Sequence, residues 1–161
     1  MFFAAHMNWS QVIHLYPVFP CKIVSVNTKP IKDALKDGAI PVITPVAVGE
    51  DGKAYNINAD LAACDIAAAL KAEKFVLITD TNGILRDESD ENTLITTLKK
   101  KEAEELIERG IIRGGMIPKV KAVVDALKKG VNKTHIIDGR LSHAILLEIF
   151  TDKGIGTEIV K

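Results

Sequence analysis

Two short apolar runs constrain the fold of this chain more than any other feature. Residues 74–79 (KFVLIT) and 134–138 (THIID) lack the alternation of apolar and polar side chains that marks a strand with one wet face. Such runs are typical of strands covered on both faces of a sheet. Helical patterns over residues 102–109 and 116–129 lie between them and end at glycines. Because strands and helices alternate, the sequence predicts an α/β protein with three layers, αβα, and a mainly parallel open sheet.

Shorter elements precede the first of these runs. Gly49-Glu50-Asp51-Gly52 is a turn signal between two β-rich stretches, so we predict a β-hairpin there. The other predicted elements are strands over residues 22–26, 40–46 and 156–160, and helices over residues 30–36, 58–71 and 142–150.

Residues 1–21 differ in character from the rest of the chain. They contain the only Trp, three of the five Phe, no acidic residue and no glycine. They show neither strand nor helix periodicity, so we expect an unmatched lead-in before one domain over residues 22–161. The segment has no basic region, and polar residues such as His6 and Asn8 interrupt it, which argues against a signal peptide. No run of eighteen apolar residues predicts a membrane-spanning helix.

The charge and cysteine content exclude several classes of function. Lys and Arg number 21, as do Asp and Glu, so the chain lacks the basic surplus that nucleic-acid binding requires. The two cysteines, Cys21 and Cys64, are far apart and indicate neither a zinc site nor a disulfide framework. A reducing, cytoplasmic location fits this pattern, and we predict no set of protein metal ligands.

The segment 114–120 (GGMIPKV) carries the strongest local signal for a ligand. The paired glycines Gly114 and Gly115 let backbone N–H groups approach a ligand closely. The helix that starts at Met116 is expected to offer free N–H groups and a partial positive charge, which suit a phosphate. Lys119 lies in its first turn, where a cation opposes the helix dipole unless an anion binds nearby. The simpler interpretation is a solvated lysine that follows a flexible glycine pair.

Two further segments place polar side chains at the ends of predicted strands. Asn56 and Asn58 share one face if the chain is extended, and Asp60 falls in the next helix's first turn. They could hold a polar ligand or orient a lysine, although capping by Asn58 and dipole compensation by Asp60 are the simpler explanation. Thr79 and Asp80 follow the first apolar run, where α/β sheets bind ligands, or they form a simple Asx turn.

Five motifs occur in order along the chain. They are YNINADLAA (55–63), LITDTNGIL (77–85), LITTL (94–98), GIIRGGMIPKV (110–120) and HIIDGRLSHAILLEIFTDKGIGT (135–157). In this combination they resemble the acetylglutamate kinase family, which has the amino-acid kinase, or carbamate-kinase-like, fold. The likeness runs from about residue 23 to residue 161.

The resemblance implies an enzyme of arginine biosynthesis that moves the γ-phosphoryl group of ATP to the side-chain carboxylate of N-acetyl-L-glutamate. It implies that ATP binds with Mg²⁺ to the carboxyl-terminal lobe. By motif match, Lys119 would contact the phosphates and Asp60 would organise the active-site lysines, while Asn56 and Asn58 would contact acetylglutamate. The positions that would hold the nucleotide are Thr79, Asp80, Gly114, Gly115 and Met116.

The end of the chain, EIFTDKGIGT, resembles the variety of this family that arginine inhibits. The matching positions for the effector are Glu148, Gly154 and Gly156. The family also implies a possible homo-oligomer.

One departure from the family lies at the amino terminus. The family's first lobe begins with a strand, a glycine-rich phosphate loop and a second catalytic lysine. Here the first lysine is Lys22, the first glycine is Gly38 and the first arginine is Arg86. We therefore expect a fold truncated at the amino terminus. The loss of charge-stabilising groups predicts weak nucleotide binding and little or no turnover by this chain alone.

Two other functions fit the sequence. The chain could be a non-catalytic module that binds nucleotide or arginine, or a kinase of another small acid or a carbamate. The YNINAD segment favours acetylglutamate over the latter.

Overall fold

The computed structural model describes residues 4–6, 13–16, 22–151 and 154–161. The chain forms two compact units, Met1–Leu70 and Lys71–Lys161. In the part of the chain that the structure describes, no helix has the length and apolar character needed to cross a bilayer.

The described residues of the first unit form six strands and two α-helices. Its elements are β1 (Ala4–His6), β2 (Ile13–Tyr16), β3 (Lys22–Val26), α1 (Lys29–Lys36), β4 (Ile40–Val42), β5 (Val46–Gly49), β6 (Ala54–Asn56) and α2 (Ala59–Leu70). Strands β1 and β4 pair in parallel. The other four form a mixed sheet in the order β3-β2-β5-β6, with β2 parallel to β5 and the outer pairs antiparallel.

The predicted hairpin is confirmed as the antiparallel pair β5–β6. Asp51 stabilises its turn by accepting hydrogen bonds from the Lys53 N–H, at 3.1 Å, and the Tyr55 hydroxyl, at 2.9 Å. A Cβ at Gly49 would lie 2.7 Å from the Tyr55 ring, so a larger residue there would have to displace that side chain. The strand predicted over residues 40–46 is split into β4 and β5, with Pro45 just before β5.

Strands β1 and β2 lie in the segment that we expected to be a lead-in. The Ile13 side chain of β2 is fully buried in the core of the first unit. These strands have only three and four residues, which is too few to show a period in the sequence. A domain boundary at residue 22 stays a prediction.

The described residues of the second unit form four strands, three α-helices and a short 3-10 helix (Glu91–Thr93). The strands and α-helices are β7 (Lys74–Thr79), β8 (Thr97–Lys99), α3 (Lys100–Glu108), α4 (Met116–Lys128), β9 (Lys133–Asp138), α5 (Ala144–Phe150) and β10 (Thr157–Val160). The sheet order is β7-β9-β10-β8. Strand β9 runs parallel to β7 and antiparallel to β10, which in turn is parallel to β8.

The α/β class with a mixed, mainly parallel sheet arrangement is confirmed, since four of the seven strand pairings among the described residues are parallel. The prediction of burial on both faces is confirmed for β9, in which residues 134–138 are all buried. It is wrong for β7, where Val76 is half-buried and Ile78 is 50% exposed. The two strands differ in burial because β9 lies between two strands, whereas β7 lies at the edge of the sheet that the described strands form.

Candidate functional site

A pocket of about 590 Å³ lies in the second unit, beside the loop after β7 and the amino-terminal end of α4. Five of the predicted site residues line it: Asp80, Gly114, Gly115, Met116 and Lys119. The structure therefore brings together two segments that are more than thirty positions apart in the sequence. We call this cavity the α4 pocket. Its remaining lining residues are Thr81, Gly83, Ile84, Leu85, Glu88, Ile111, Ile112 and Arg113.

The two glycines before α4 leave room in this pocket. Gly114 has a φ of +54°, a left-handed conformation that favours glycine. A Cβ added at Gly114 or Gly115 would meet no heavy atom within 4 Å, so these glycines do not serve close packing within the chain. Bare backbone beside open space is the arrangement that lets a ligand approach the main chain.

The backbone N–H groups at this helix end differ from the sequence expectation. The Met116 N–H donates to the Arg113 carbonyl at 3.2 Å, and the Ile117 N–H donates to the Gly114 carbonyl at 3.3 Å. Pro118 has no N–H to offer. Within the described residues, the N–H groups of Gly114 and Gly115 make no hydrogen bond. The backbone N–H groups available to a ligand are therefore those of Gly114 and Gly115, which precede α4. The N–H groups of the first two helical residues already form turn hydrogen bonds.

Charged side chains of both signs line the α4 pocket. Lys119 is half-buried in the first turn of α4. The Arg113 Nε donates to the Glu88 carboxylate at 3.1 Å in an exposed ion pair. The Asp80 carboxylate accepts a hydrogen bond from the Thr79 hydroxyl at 3.1 Å. Thr79 is nearly buried and acts here as a neighbour of Asp80, since it does not line the pocket itself.

Interactions with residues at the end of β9 hold the loop after β7 in place. The Gly139 N–H donates to the Thr79 carbonyl at 2.8 Å. Arg140 donates to both carboxylate oxygens of Asp138 and, at 3.0 Å, to the Asn82 side-chain oxygen. These hydrogen bonds from Arg140 hold the pKa of the buried Asp138 carboxyl below its ordinary value, although burial opposes the shift. The loop that carries Asp80 is therefore fixed at both ends of its turn.

The predicted acetylglutamate residues and Asp60 lie in the first unit and do not line the α4 pocket. Asn56 ends β6 with an exposed side chain. The Asn58 side-chain oxygen accepts from the Leu61 N–H at 3.1 Å, so the capping interpretation of Asn58 is confirmed. Asp60 lies in the first turn of α2, where an acidic side chain complements the helix dipole.

The three predicted effector residues gather around a buried carboxylate. Glu148 accepts on one oxygen from the N–H groups of Ile155, at 2.7 Å, and Gly156, at 3.0 Å. Its other oxygen lies 2.7 Å from the Nδ1 of His135, and both side chains are buried. We call these residues, with Gly154, the Glu148 cluster. In this structure both Glu148 oxygens are engaged by the chain itself.

Several functional candidates were missed in the sequence. Glu88 and Arg113 line the α4 pocket, as do the isoleucines and Leu85 that give it an apolar wall. Arg113 directly precedes the glycine pair in GIIRGG, and this position could have identified it as a pocket residue. The apolar residues of the pocket gave no such signal, because apolar residues are equally typical of a hydrophobic core. The sequence placed His135 in a packed strand position, and its burial confirms this, but nothing in THIID pointed to Glu148 as its partner.

The sequence profile of the amino acid kinase family matches residues 9–138. Among curated relatives, the acetylglutamate kinase of Aquifex aeolicus is 58% identical over 141 residues, which cover 88% of this chain and 46% of the relative. That of Pelotomaculum thermopropionicum is 55% identical over 143 residues, 89% of this chain and 48% of the relative. The chain thus spans about half the length of the curated relatives it matches.

Solved structures show the same fold. The N-acetylglutamate synthase from Neisseria gonorrhoeae, complexed with coenzyme A and L-arginine, superimposes with a TM-score of 0.85 at 28% identity. The likeness covers 97% of this chain and 38% of that one. Aspartokinase III of E. coli superimposes over 98% of this chain and 35% of its own, with a TM-score of 0.71. Its identity is 16%, so it shows the fold alone.

Proposed function

The chain belongs to the amino acid kinase family, and we propose that its second unit binds ATP for a phosphoryl transfer of the acetylglutamate kinase type. One observation carries the proposal. The glycine pair before α4, Lys119 and Asp80 line a single pocket at the end of a strand in an α/β sheet. A volume of about 590 Å³ falls in the range of small-molecule and cofactor sites.

The pocket offers separate environments for the two parts of a nucleotide. Its apolar wall suits an adenine ring, since the lining residues Ile84, Leu85 and Ile112 carry no charge. The Gly114 and Gly115 N–H groups, the positive end of the α4 dipole and Lys119 suit the phosphates. An ammonium group close to the transferring phosphoryl would neutralise charge that builds up in the transition state.

Magnesium fits the carboxylates of this pocket. Mg²⁺ in kinases is bound by one or two carboxylates together with the substrate phosphates. Asp80 lines the pocket with a carboxylate of that kind, whereas the Glu88 carboxylate is paired with Arg113. When bound, the ion would neutralise negative charge on the phosphates. Lys119 and the two glycine amides would position the same phosphates from the protein side.

The proposed acceptor is the side-chain carboxylate of N-acetyl-L-glutamate. One of its oxygens attacks the γ-phosphorus, the bond to the β–γ bridging oxygen breaks, and ADP leaves with that electron pair. No covalent intermediate with the protein is needed, so positioning and charge neutralisation supply the catalysis. Relatives at 51–58% identity that carry the name acetylglutamate kinase support this acceptor. We propose that Asn56 and Asn58 contact it and that Asp60 orients lysines.

The length of the match limits the activity proposed for this chain alone. The chain spans about half the length of its relatives. Loss of a single charge-stabilising group raises the activation free energy of such a reaction by about 3–4 kcal/mol. We propose that the isolated chain binds nucleotide and turns over little.

Arginine binding at Glu148, Gly154 and Gly156 is a second proposal. Its support is the arginine complex of the structurally similar synthase. An effector there must compete with the N–H groups of Ile155 and Gly156 for the Glu148 carboxylate.

Thermal unfolding with and without Mg-ATP tests the nucleotide site. At ten times the dissociation constant, ATP adds about 1.4 kcal/mol of stability, and the melting temperature should rise by a few degrees. Lys119→Ala should lose most of this rise, because a hydrogen bond to a charged group contributes about 1.5–3 kcal/mol. Lys121→Ala removes an exposed charge from the same helix outside the pocket and should keep it. Equal responses of the two variants would refute the assignment.

An assay of ADP formation, with and without N-acetyl-L-glutamate, tests the reaction itself. We expect ATP binding with little acetylglutamate-dependent turnover. Brisk turnover that Lys119→Ala abolishes would support the reaction and contradict the proposed impairment. Turnover that Lys119→Ala leaves unchanged would place the chemistry elsewhere.

A further inference from the structure

Two arginines bind the segment between β7 and β8, and they differ in how much of each guanidinium group the chain itself uses. Arg140 donates from Nε and from a terminal nitrogen to Asp138, and the same terminal nitrogen also donates to Asn82. Arg113 makes one hydrogen bond, from its Nε to the Glu88 carboxylate at 3.1 Å. Within the described residues, the two terminal nitrogens of Arg113 donate to no acceptor. Their N–H groups form the planar fork that suits phosphate oxygens.

Arg113 lies beside the groups that we assign to phosphate binding. It lines the α4 pocket together with Lys119 and directly precedes Gly114 and Gly115. The N–H groups of those two glycines make no hydrogen bond within the described residues, and the Arg113 carbonyl accepts from the Met116 N–H at 3.2 Å. The unused donors of Arg113 therefore extend from the same turn as the available backbone N–H groups.

The contact between Arg113 and Glu88 is one that a phosphate can replace. The two side chains are 65% and 55% exposed. Ion pairs at such exposure contribute little to stability, because water and salt screen the charges. A guanidinium that donates two parallel hydrogen bonds to a phosphate makes a stronger interaction than a single exposed contact. A ligand phosphate therefore has the advantage over Glu88 as the partner of Arg113.

Hydrogen bonds on either side of Glu88 fix the turn that carries it. The Asp87 N–H donates to the Thr93 hydroxyl at 3.0 Å. The Asp87 carboxylate accepts from the Ser89 N–H at 2.9 Å and from the Ser89 hydroxyl at 2.6 Å. Because these bonds do not involve Arg113, Glu88 stays beside the pocket when Arg113 turns to a ligand, and the pair can form again when the ligand leaves.

We propose that Arg113 is a specificity-determining residue of the nucleotide site and that Glu88 competes with the ligand for it. In this structure Arg113 contacts Glu88. When a nucleoside diphosphate or triphosphate binds, Arg113 exchanges the Glu88 carboxylate for phosphate oxygens. A nucleoside without phosphate cannot make this exchange, so the pair favours phosphorylated ligands. The inference rests on the proposed nucleotide site.

Binding of ADP and of adenosine to the full chain tests the exchange. NMR titration in the presence of EDTA gives both dissociation constants without any contribution of Glu88 through magnesium. Arg113→Ala should weaken ADP binding about tenfold, because a hydrogen bond to a charged group is lost, and should leave adenosine binding unchanged. Glu88→Gln should strengthen ADP binding about two- to fivefold, because the competitor of Arg113 is removed. In the Arg113→Ala background, Glu88→Gln should have a much smaller effect.

Two matched variants separate this exchange from a general effect of charge. Arg109→Ala and Glu91→Gln each remove an exposed charge outside the α4 pocket and should leave ADP binding unchanged. Equal weakening of ADP and adenosine by Arg113→Ala would overturn the proposal and indicate a structural role. Unchanged or weaker ADP binding by Glu88→Gln, or an equal gain in both backgrounds, would also overturn it. Failure of the wild-type chain to bind either ligand would instead refute the nucleotide site, and this inference with it.

Discussion

Two glycine-containing loops flank helices in the second unit, and they differ in what surrounds them. At the α4 pocket, a Cβ on Gly114 or Gly115 would meet nothing within 4 Å. At the Glu148 cluster, a Cβ on Gly154 would lie 2.6 Å from the Glu148 carboxylate, and one on Gly156 would overlap the Ile136 carbonyl oxygen. The first loop leaves space for a ligand, whereas the second uses glycine to let the chain pack on itself.

A glycine near a helix and a charged side chain can therefore serve either of two purposes. It can leave space for a ligand, or it can let the chain pack closely on itself. Lys119 lies at the rim of a cavity that an anion could fill. Both oxygens of the Glu148 carboxylate already contact the chain, one beside His135 and the other bonded to two backbone N–H groups. We therefore expect substitutions in the Glu148 cluster to change stability and substitutions in the α4 pocket to change binding.

Removal of the Glu148 carboxylate should have the largest effect. Glu148→Ala leaves the His135 ring and the N–H groups of Ile155 and Gly156 buried without partners. Each buried donor left without a partner costs about 1–3 kcal/mol of unfolding free energy, measurable by urea denaturation. Glu105→Ala, on the exposed face of α3, should cost less than about 0.5 kcal/mol. Similar small losses in both variants would show that the cluster is not a structural element.

Gly156→Ala should come next. The added methyl group meets a backbone carbonyl, which cannot move as a flexible side chain can. Overpacking of this kind costs about 1–3 kcal/mol. The melting temperature should fall accordingly, and an unchanged value would mean that the loop relaxes freely.

The stability of the fold at acid pH should report the interaction between Asp138 and Arg140. Because Arg140 holds the pKa of Asp138 below its usual 3.8, the charged carboxyl stabilises the fold above about pH 4. That contribution is lost as the pH falls through the lowered pKa. Arg140→Ala should lower the stability at pH 7 and flatten the loss of stability below pH 4. Arg86→Ala, at an exposed position, should keep the wild-type acid profile.

Gly115→Ala should change stability least. Its φ of −66° suits alanine, and the space around it is empty. Stability should stay within about 0.5 kcal/mol of wild type, or rise slightly because the unfolded chain loses freedom. Nucleotide affinity should nevertheless fall, since the methyl group obstructs approach to the backbone. If Gly115→Ala lowered stability and left nucleotide affinity unchanged, the loop before α4 would serve packing and not ligand binding.

The sequence predicted the class and most of the regular elements because long elements carry a period or an unalternating apolar run. Helix α4, predicted over residues 116–129, spans Met116–Lys128. Strands β1 and β2 were missed because they are too short to show a pattern. The half-exposed face of β7 was missed because sheet order depends on pairings distant in sequence.

The site was predictable only where a local signal existed. The glycine pair and Lys119 form one motif, and Asp80 follows an obvious strand, so their meeting in one pocket followed from α/β topology. Glu88 and the apolar wall of the pocket reach it from loops whose paths no local pattern specifies. The His135–Glu148 contact joins residues that are thirteen positions apart, and neither residue type indicates the other.

The most direct test of the account is an NMR titration of the isotopically labelled chain with a non-hydrolysable ATP analogue and Mg²⁺. The account predicts that chemical shifts change for the amides of Asp80, Gly114, Gly115 and Lys119, while those of Ile155 and Gly156 stay in place. Changes centred on residues 154–156, or no changes at saturating analogue, would contradict the assignment of the α4 pocket as the nucleotide site.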